Sequence, residues 1–297
     1  VLMLLGGVTP FEAVTLTFGT AGTGGFAVRN DGLVSYSPYI QWVVTIFMAL
    51  FGVNFNIYFL LLIKKWKQAL RSEELRTYFI ILAAASGIIF WNTYIPGENI
   101  EASLRHAAFQ VSSIMTTTGF ATCDFARWPV LSQTILVLLM FIGACAGSTG
   151  GGLKVSRIII LAKRAREELR RYLYPNSITK IRLEKKIVSR DIVHTTSAFL
   201  VAYIFIFAVS TLLISVDGHD TTTSFTAVAA TINNIGPGLS LVGPSQNYGF
   251  FSCFSKYVLI FDMLAGRLEL FPMLLLFHPA IWRKSGFAQK KSAEASI

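Results

Sequence analysis

Three short runs of this chain combine Thr, Gly and Asn in a way suited to ion chemistry: "TGGF" at 23–26, "TTGF" at 117–120 and "NIGP" at 234–237. With Gly25, Gly119 and Gly236 set in register, Thr23, Gly24 and Gly25 match Thr117, Thr118 and Gly119, and then Asn234, Ile235 and Gly236. Glycine reaches backbone angles closed to other residues, and carbonyl oxygens held in a ring replace the hydration shell of an alkali cation. Thr hydroxyls add oxygen at the same radius without a fixed charge to trap the ion. One such loop reads as a surface turn. Three, spaced by roughly a hundred residues, read as an internal repeat and as a candidate cation filter. Pro237 replaces the Phe26 and Phe120 of the other two runs, so the last loop is expected to be asymmetric.

A second segment rich in glycine is "GACAGSTGGGLK" at 143–154, between the apolar runs "SQTILVLLMFI" and "VSRIIILAK". Gly147, Ser148, Thr149, Gly150, Gly151 and Gly152 open a phosphate-loop pattern, but Leu153 then intervenes before Lys154 and Val155 follows where Ser or Thr is required. No strand precedes it either. A passive kink needs one or two glycines, so the run predicts a stretch of unwound backbone inside an apolar environment. Such backbone survives in a membrane only when buried in protein or facing water.

Among single residues, Arg267 is the most informative, since it stands within an apolar span with Asp262 and Glu269 nearby. A charge at mid-membrane costs roughly 2.5–3.5 kcal/mol on insertion scales. It either pairs with one of those carboxylates or faces a water-filled path. Cys123, Cys145 and Cys253 are far apart and form no CxxC pair, and His106, His194, His219 and His278 show no ligand spacing. Asp31, Glu98, Glu101, Asp124, Asp217 and Asp220 fall on loops expected outside, where they can raise the local cation concentration.

The elements that must hold these residues follow from composition. Of 297 residues, 53% are hydrophobic and 14% charged, against roughly 25% charged in soluble proteins, and the mean hydropathy is +0.57. This is an integral membrane protein. The net charge of +10 is no sign of nucleic-acid binding: most basic residues cluster in 64–76, 154–190 and 283–291, each after an apolar run, as cytoplasmic loops require. No aromatic-interleaved basic platform accompanies them. Spans are expected at about 39–63, 77–96, 131–163, 191–216 and 255–282, alternating consistently so that the C-terminus is cytoplasmic. Segments at about 9–20, 101–115 and 221–232 are too short to cross and read as re-entrant helices. They start at Thr9-Pro10 with Glu12, at Asn99 and at Asp220, all helix-opening signals. The first residues, "VLMLLGGVTP", do not read as a signal peptide and are expected to lie inside a longer chain.

Taken together, "GTGGFAVRND", "MTTTGFATCDF", "GACAGSTGGGLKVSRI", "YPNSITKIRLEKK", "INNIGPGLSLVGP" and "MLAGRLELFPMLLLF" make the chain closely similar to the Trk/Ktr/HKT superfamily of potassium transporters, nearest its bacterial TrkH branch. The resemblance implies an all-α polytopic membrane protein of fused potassium-channel-type repeats, M1–pore helix–M2, four to a pore. About 2.5 of them are present: 1–70 as a partial second repeat, 71–172 as the third with the glycine-rich loop, and 173–297 as the fourth. The first repeat and the outer helix of the second are expected before Val1. The resemblance further implies K⁺ as the transported ion, bound at the nine filter positions, and an intramembrane gate made of Gly147–Gly152 with Lys154 and Arg267. It implies a homodimer, a cytoplasmic nucleotide-binding regulatory subunit (TrkA-like) and the bacterial inner membrane. No organic cofactor and no catalysis are expected: paired intramembrane carboxylates or a convergent Ser/His pair are not found in the sequence. A Na⁺-permeable relative is the nearest alternative, ahead of a non-conducting scaffold or an enzyme.

Overall fold

In a computed structural model, residues 1–97, 99–174, 181–184, 186–268 and 270–276 are described. They are helical almost throughout, apart from one small hairpin. In chain order the helices are α1 (Leu2–Leu5), α2 (Pro10–Ala21), α3 (Pro38–Phe51), α4 (Phe55–Leu62), α5 (Trp66–Leu70), α6 (Glu73–Thr93), α7 (Ile100–Met115), α8 (Val130–Ile142) and α9 (Val155–Leu173). After the antiparallel pair β1 (Arg182–Leu183) and β2 (Lys186–Ile187) come α10 (Arg190–Ile214), α11 (Thr221–Ile232), α12 (Cys253–Leu268) and α13 (Leu270–Leu276).

The three short helices begin where the sequence signals place them. Thr9 and Glu12 close a reciprocal capping box around the start of α2, with Pro10 in its first turn. Asn99 accepts the Glu101 amide at 3.0 Å to open α7, and Asp220 accepts the Thr223 amide at 3.0 Å to open α11. Their cores are buried: Phe109, Gln110, Val111, Ser112, Ser113, Ile114 and Met115 of α7 and Thr226 through Ala230 of α11 have little or no exposed surface. Around them stand the longer apolar helices, α3 and α6 against α7, and α10 and α12 against α11.

Among the described residues, two helices, at 73–93 and 190–217, are long and apolar enough to cross a membrane unbroken. The span expected at 39–63 departs from the reading of one continuous helix, because α3 and α4 meet at a bend of 90°. Gly52 ends α3, and a side chain there would run into the Tyr78 hydroxyl, which itself donates to the Ala49 carbonyl at 2.9 Å. Asn54 then caps a new helix by accepting the Asn56 amide at 2.9 Å. The segment at 131–163 is broken as expected, α8 ending before Gly143 and α9 starting after Lys154. Of the last expected span, α12 and α13 are seen, and 277–282 lie outside the described residues.

Candidate functional site

The loops after α2, α7 and α11 share one backbone conformation. Thr23, Thr117 and Asn234 take left-handed φ of 50°, 57° and 57°, and Gly25, Gly119 and Gly236 follow at 68°, 85° and 105°. A non-glycine residue at positive φ is uncommon, so three at equivalent positions confirm the register read from the sequence. The cause is shared as well. The amides of residues 23–25 donate to Thr20 and Gly19, those of 117–119 to Ile114 and Ser113, and those of 234–236 to Thr231 and Ala230. Each loop thus spends its N–H groups on orphan carbonyls at the end of its own helix. Among the described residues, no donor reaches the carbonyls of Thr23, Gly24, Thr117, Thr118, Asn234 or Ile235.

The loops also touch one another in order. A β-carbon on Gly25 would collide with the Thr118 carbonyl, and one on Gly119 with the Ile235 carbonyl. Only glycine lets each loop lie so close to the carbonyl before the next loop's glycine. At Gly236 the series opens, because a β-carbon there would meet nothing within 4 Å. Beside it is a cavity of about 1090 Å³, lined by Thr23 and Gly24 on one side and Asn234, Gly236 and Lys256 on the other. The expected asymmetry of the last loop is present in one contact: the Tyr248 hydroxyl donates to the Gly236 carbonyl at 2.6 Å.

Beneath the loops runs the segment 143–154. The Gly151 amide donates to the Thr117 hydroxyl at 2.6 Å, and the Thr23 hydroxyl donates to the Thr149 carbonyl at 3.0 Å. Arg267 reaches the same carbonyl through Nη1 at 3.1 Å and the Gly22 carbonyl through Nη2 at 3.4 Å. Lys154 Nζ donates to the Gly150 carbonyl. Ser148 turns inward on its own segment, donating to Cys145 at 2.7 Å. Side chains at Gly150, Gly151 and Gly152 would press on Thr116, Asn233 and Gly143, so these glycines are the condition for the segment's fit under the loops. A second cavity, about 290 Å³, lies between this segment, Asn233 and Arg267.

Two readings narrow here. The Thr149 and Gly150 carbonyls are taken by Arg267, Thr23 and Lys154, and Arg267 itself lines both cavities. Arg267 is held by backbone carbonyls, and Asp262 instead accepts the Ser210 hydroxyl at 2.7 Å; the Glu269 side chain lies outside the described residues. Most outer carboxylates serve local structure: Glu101 binds Arg105 and Trp42 at 2.9 and 2.7 Å, and Asp124 binds Arg127 at 3.2 Å. The Ser252 amide and hydroxyl donate to Asp217 at 2.9 and 2.7 Å, and the Thr223 hydroxyl holds Asp220 below its ordinary pKa. Glu98 is outside the described residues. No group of three or more His, Cys, Asp or Glu side chains converges among the described residues. Sequence reasoning missed Asn233, which is buried, accepts the Tyr203 hydroxyl at 3.0 Å and backs Gly151. Its only signal was the doubled Asn before Ile235.

Residues 5–284 match the family model TrkH, described as a cation transport protein. The chain belongs to the TrkH family. It is 38% identical over 286 residues to the Trk system potassium uptake protein TrkH of Salmonella typhimurium and 37% identical to that of Escherichia coli K12, covering 94% of this chain. The chain spans 58% of the length of those relatives. The crystal structure of the potassium transporter TrkH from Vibrio parahaemolyticus superposes with a TM-score of 0.85 at 33% identity, over 94% of this chain and 61% of that one. The fold is therefore that of an all-α polytopic membrane transporter.

Proposed function

We propose that this chain forms most of the ion path of a potassium uptake protein, with no catalytic chemistry of its own. The carrying observation is the threefold recurrence of one loop conformation whose amides are consumed by their own helices and whose carbonyls are left for a ligand. A dehydrated alkali cation is the ligand that a ring of neutral oxygens suits. The relatives named as potassium uptake proteins favour K⁺. Thr23, Gly24 and Gly25, Thr117, Thr118 and Gly119, and Asn234, Ile235 and Gly236 are the proposed coordinating positions. The gap between Gly236 and Thr23 is the place for a fourth loop, contributed by a first repeat of the parent protein.

In this reading Gly147–Gly152 is a gate. It lies across the cytoplasmic side of the loops, tied there by few hydrogen bonds, and Arg267 adds positive charge to the same place. The parent protein works in the bacterial inner membrane with a cytoplasmic C-terminus, as a homodimer whose cytoplasmic face receives a nucleotide-binding regulatory subunit. The test is reconstitution of the full-length parent in vesicles with K⁺ and Na⁺ flux measured side by side. Flux of K⁺ well above Na⁺ is expected. Equal flux of both ions supports the Na⁺-permeable alternative, and none at all removes the reading.

A further inference from the structure

The chain is bent at 52–54 between α3 and α4, and unwound at 143–154 between α8 and α9, and these two breaks lie against each other. The Cys145 amide donates to the Gly52 carbonyl at 3.0 Å, and the Phe55 amide donates to the Gly147 carbonyl at 3.2 Å. Between them sits one carboxylate. Glu74, in the first turn of α6, is only 6% exposed, and its Oε1 accepts the Ala146 amide at 2.7 Å. The Asn54 side chain and Ser156 lie beside the same carboxylate.

Ser156 is in the first turn of α9, whose own N-cap residue, Lys154, makes no side-chain capping bond. The Glu74 carboxylate, from α6, stands beside this start, at the positive end of the α9 dipole. The ordinary duty of an acidic residue in a first turn, serving its own helix at the surface, falls to Glu73, which is paired with Lys163 at 2.6 Å. Glu74 is turned inward instead. A carboxylate is costly to bury unless hydrogen-bonded, and the bond that holds this one comes from the Ala146 amide in the stem of the glycine segment. Ser72, the N-cap of α6, donates to Glu184 beside the hairpin at 2.6 Å. Ser72, Glu73 and Glu74 thus tie the hairpin, α9 and the stem of the glycine segment together.

We propose that Glu74 is a positioning residue of the gate: it fixes the stem at Ala146 and the exit at Ser156 from which Gly147–Gly152 reaches under the loops. The inference rests on the gating role given to that segment above. It is tested in the full-length protein reconstituted in vesicles, with Glu74→Ala, Glu74→Gln, deletion of Gly147–Gly152, and Glu74→Ala combined with the deletion. Removing a buried hydrogen bond to a charge should shift a closed–open balance by roughly five- to tenfold, read as higher unstimulated K⁺ flux for Glu74→Ala. Glu74→Gln keeps an acceptor for Ala146 at the same reach and should rise less, about twofold. In the deletion background Glu74→Ala should add nothing. If the deletion raises flux while both Glu74 variants stay at the native level, the proposal is overturned and the gate stands. If the deletion leaves flux unchanged, the gating reading falls and this inference with it. An equal rise from Glu74→Ala with and without the segment also overturns it, since Glu74 would then act elsewhere. Should Glu74→Ala not fold, Glu74→Gln decides alone, and native flux in that variant is the overturning result.

Discussion

The three loops proposed as a filter and the glycine segment beneath them are both irregular backbone, yet they are held in opposite ways. In the loops the amides are fixed, each set bonded to the last turn of its own helix, and the carbonyls are left open. In the glycine segment the Thr149 carbonyl is held by the distant side chains of Thr23 and Arg267, and the Gly151 amide by the Thr117 hydroxyl. The Gly150 carbonyl is held by Lys154 at the segment's own end, with the Phe55 amide on Gly147 as a backbone tie. Local backbone anchoring makes a structure that cannot leave without unwinding a helix. Anchoring by side chains from distant parts of the chain makes one that can be released by breaking a few hydrogen bonds, each worth about 0.5–1.5 kcal/mol net. The first is what a selective ring needs, and the second is what a removable barrier needs.

The largest expected effect breaks the rigid side of this comparison. Gly119→Ala puts a methyl group into the Ile235 carbonyl at a φ of 85° that alanine resists. The loops at 117–119 and 234–236 would have to separate, and K⁺ flux in the reconstituted full-length protein should fall at least tenfold or lose its preference over Na⁺. Native flux and native preference in that variant would show that close contact between these loops is not what selects the ion.

The releasable side should respond in the other direction and less steeply. Deleting Gly147–Gly152 is expected to raise K⁺ flux, and Arg267→Ala to raise it by a smaller factor, because Thr149 keeps its bond from Thr23 when the guanidinium is gone. A single carbonyl contact of a charged donor corresponds to roughly 1.5–3 kcal/mol. Flux through both variants at the native level, in protein that elutes and melts normally, would end the distinction drawn between loops and gate.

Much of the rigid side was legible in the sequence, and little of the releasable side was. The helix starts at Thr9, Asn99 and Asp220 and the alignment of Gly25, Gly119 and Gly236 are local signals, and local hydrogen bonds express them. The bend at 52–54 was missed because a lone Gly in an apolar run is ordinary; what makes Gly52 a turning point is Tyr78, from α6. The donors to Thr149 come from 126 residues upstream and 118 downstream, a distance no periodicity reports. Glu74 looked like any first-turn acid, and only its burial separates it from Glu73.

The smallest effect concerns the helices that carry the rigid loops. The helix α7 is capped by Asn99, which does not titrate, whereas α11 is capped by Asp220. The Thr223 hydroxyl holds the Asp220 pKa below its ordinary value in the folded protein. Its contribution to stability is therefore complete above the unfolded-state pKa, near 3.9, and is lost as the pH falls through the lower folded-state value. Asp220 is exposed, so the effect is screened. Asp220→Asn should leave the melting temperature at neutral pH within about one or two degrees of native, since Asn caps about as well as Asp. Below about pH 4 the native protein should lose more of its melting temperature than the variant does. Identical acid profiles for the two proteins would mean that the start of α11 contributes nothing to holding its loop, and the anchoring of 234–236 would then rest on the Thr231 and Ala230 carbonyls alone.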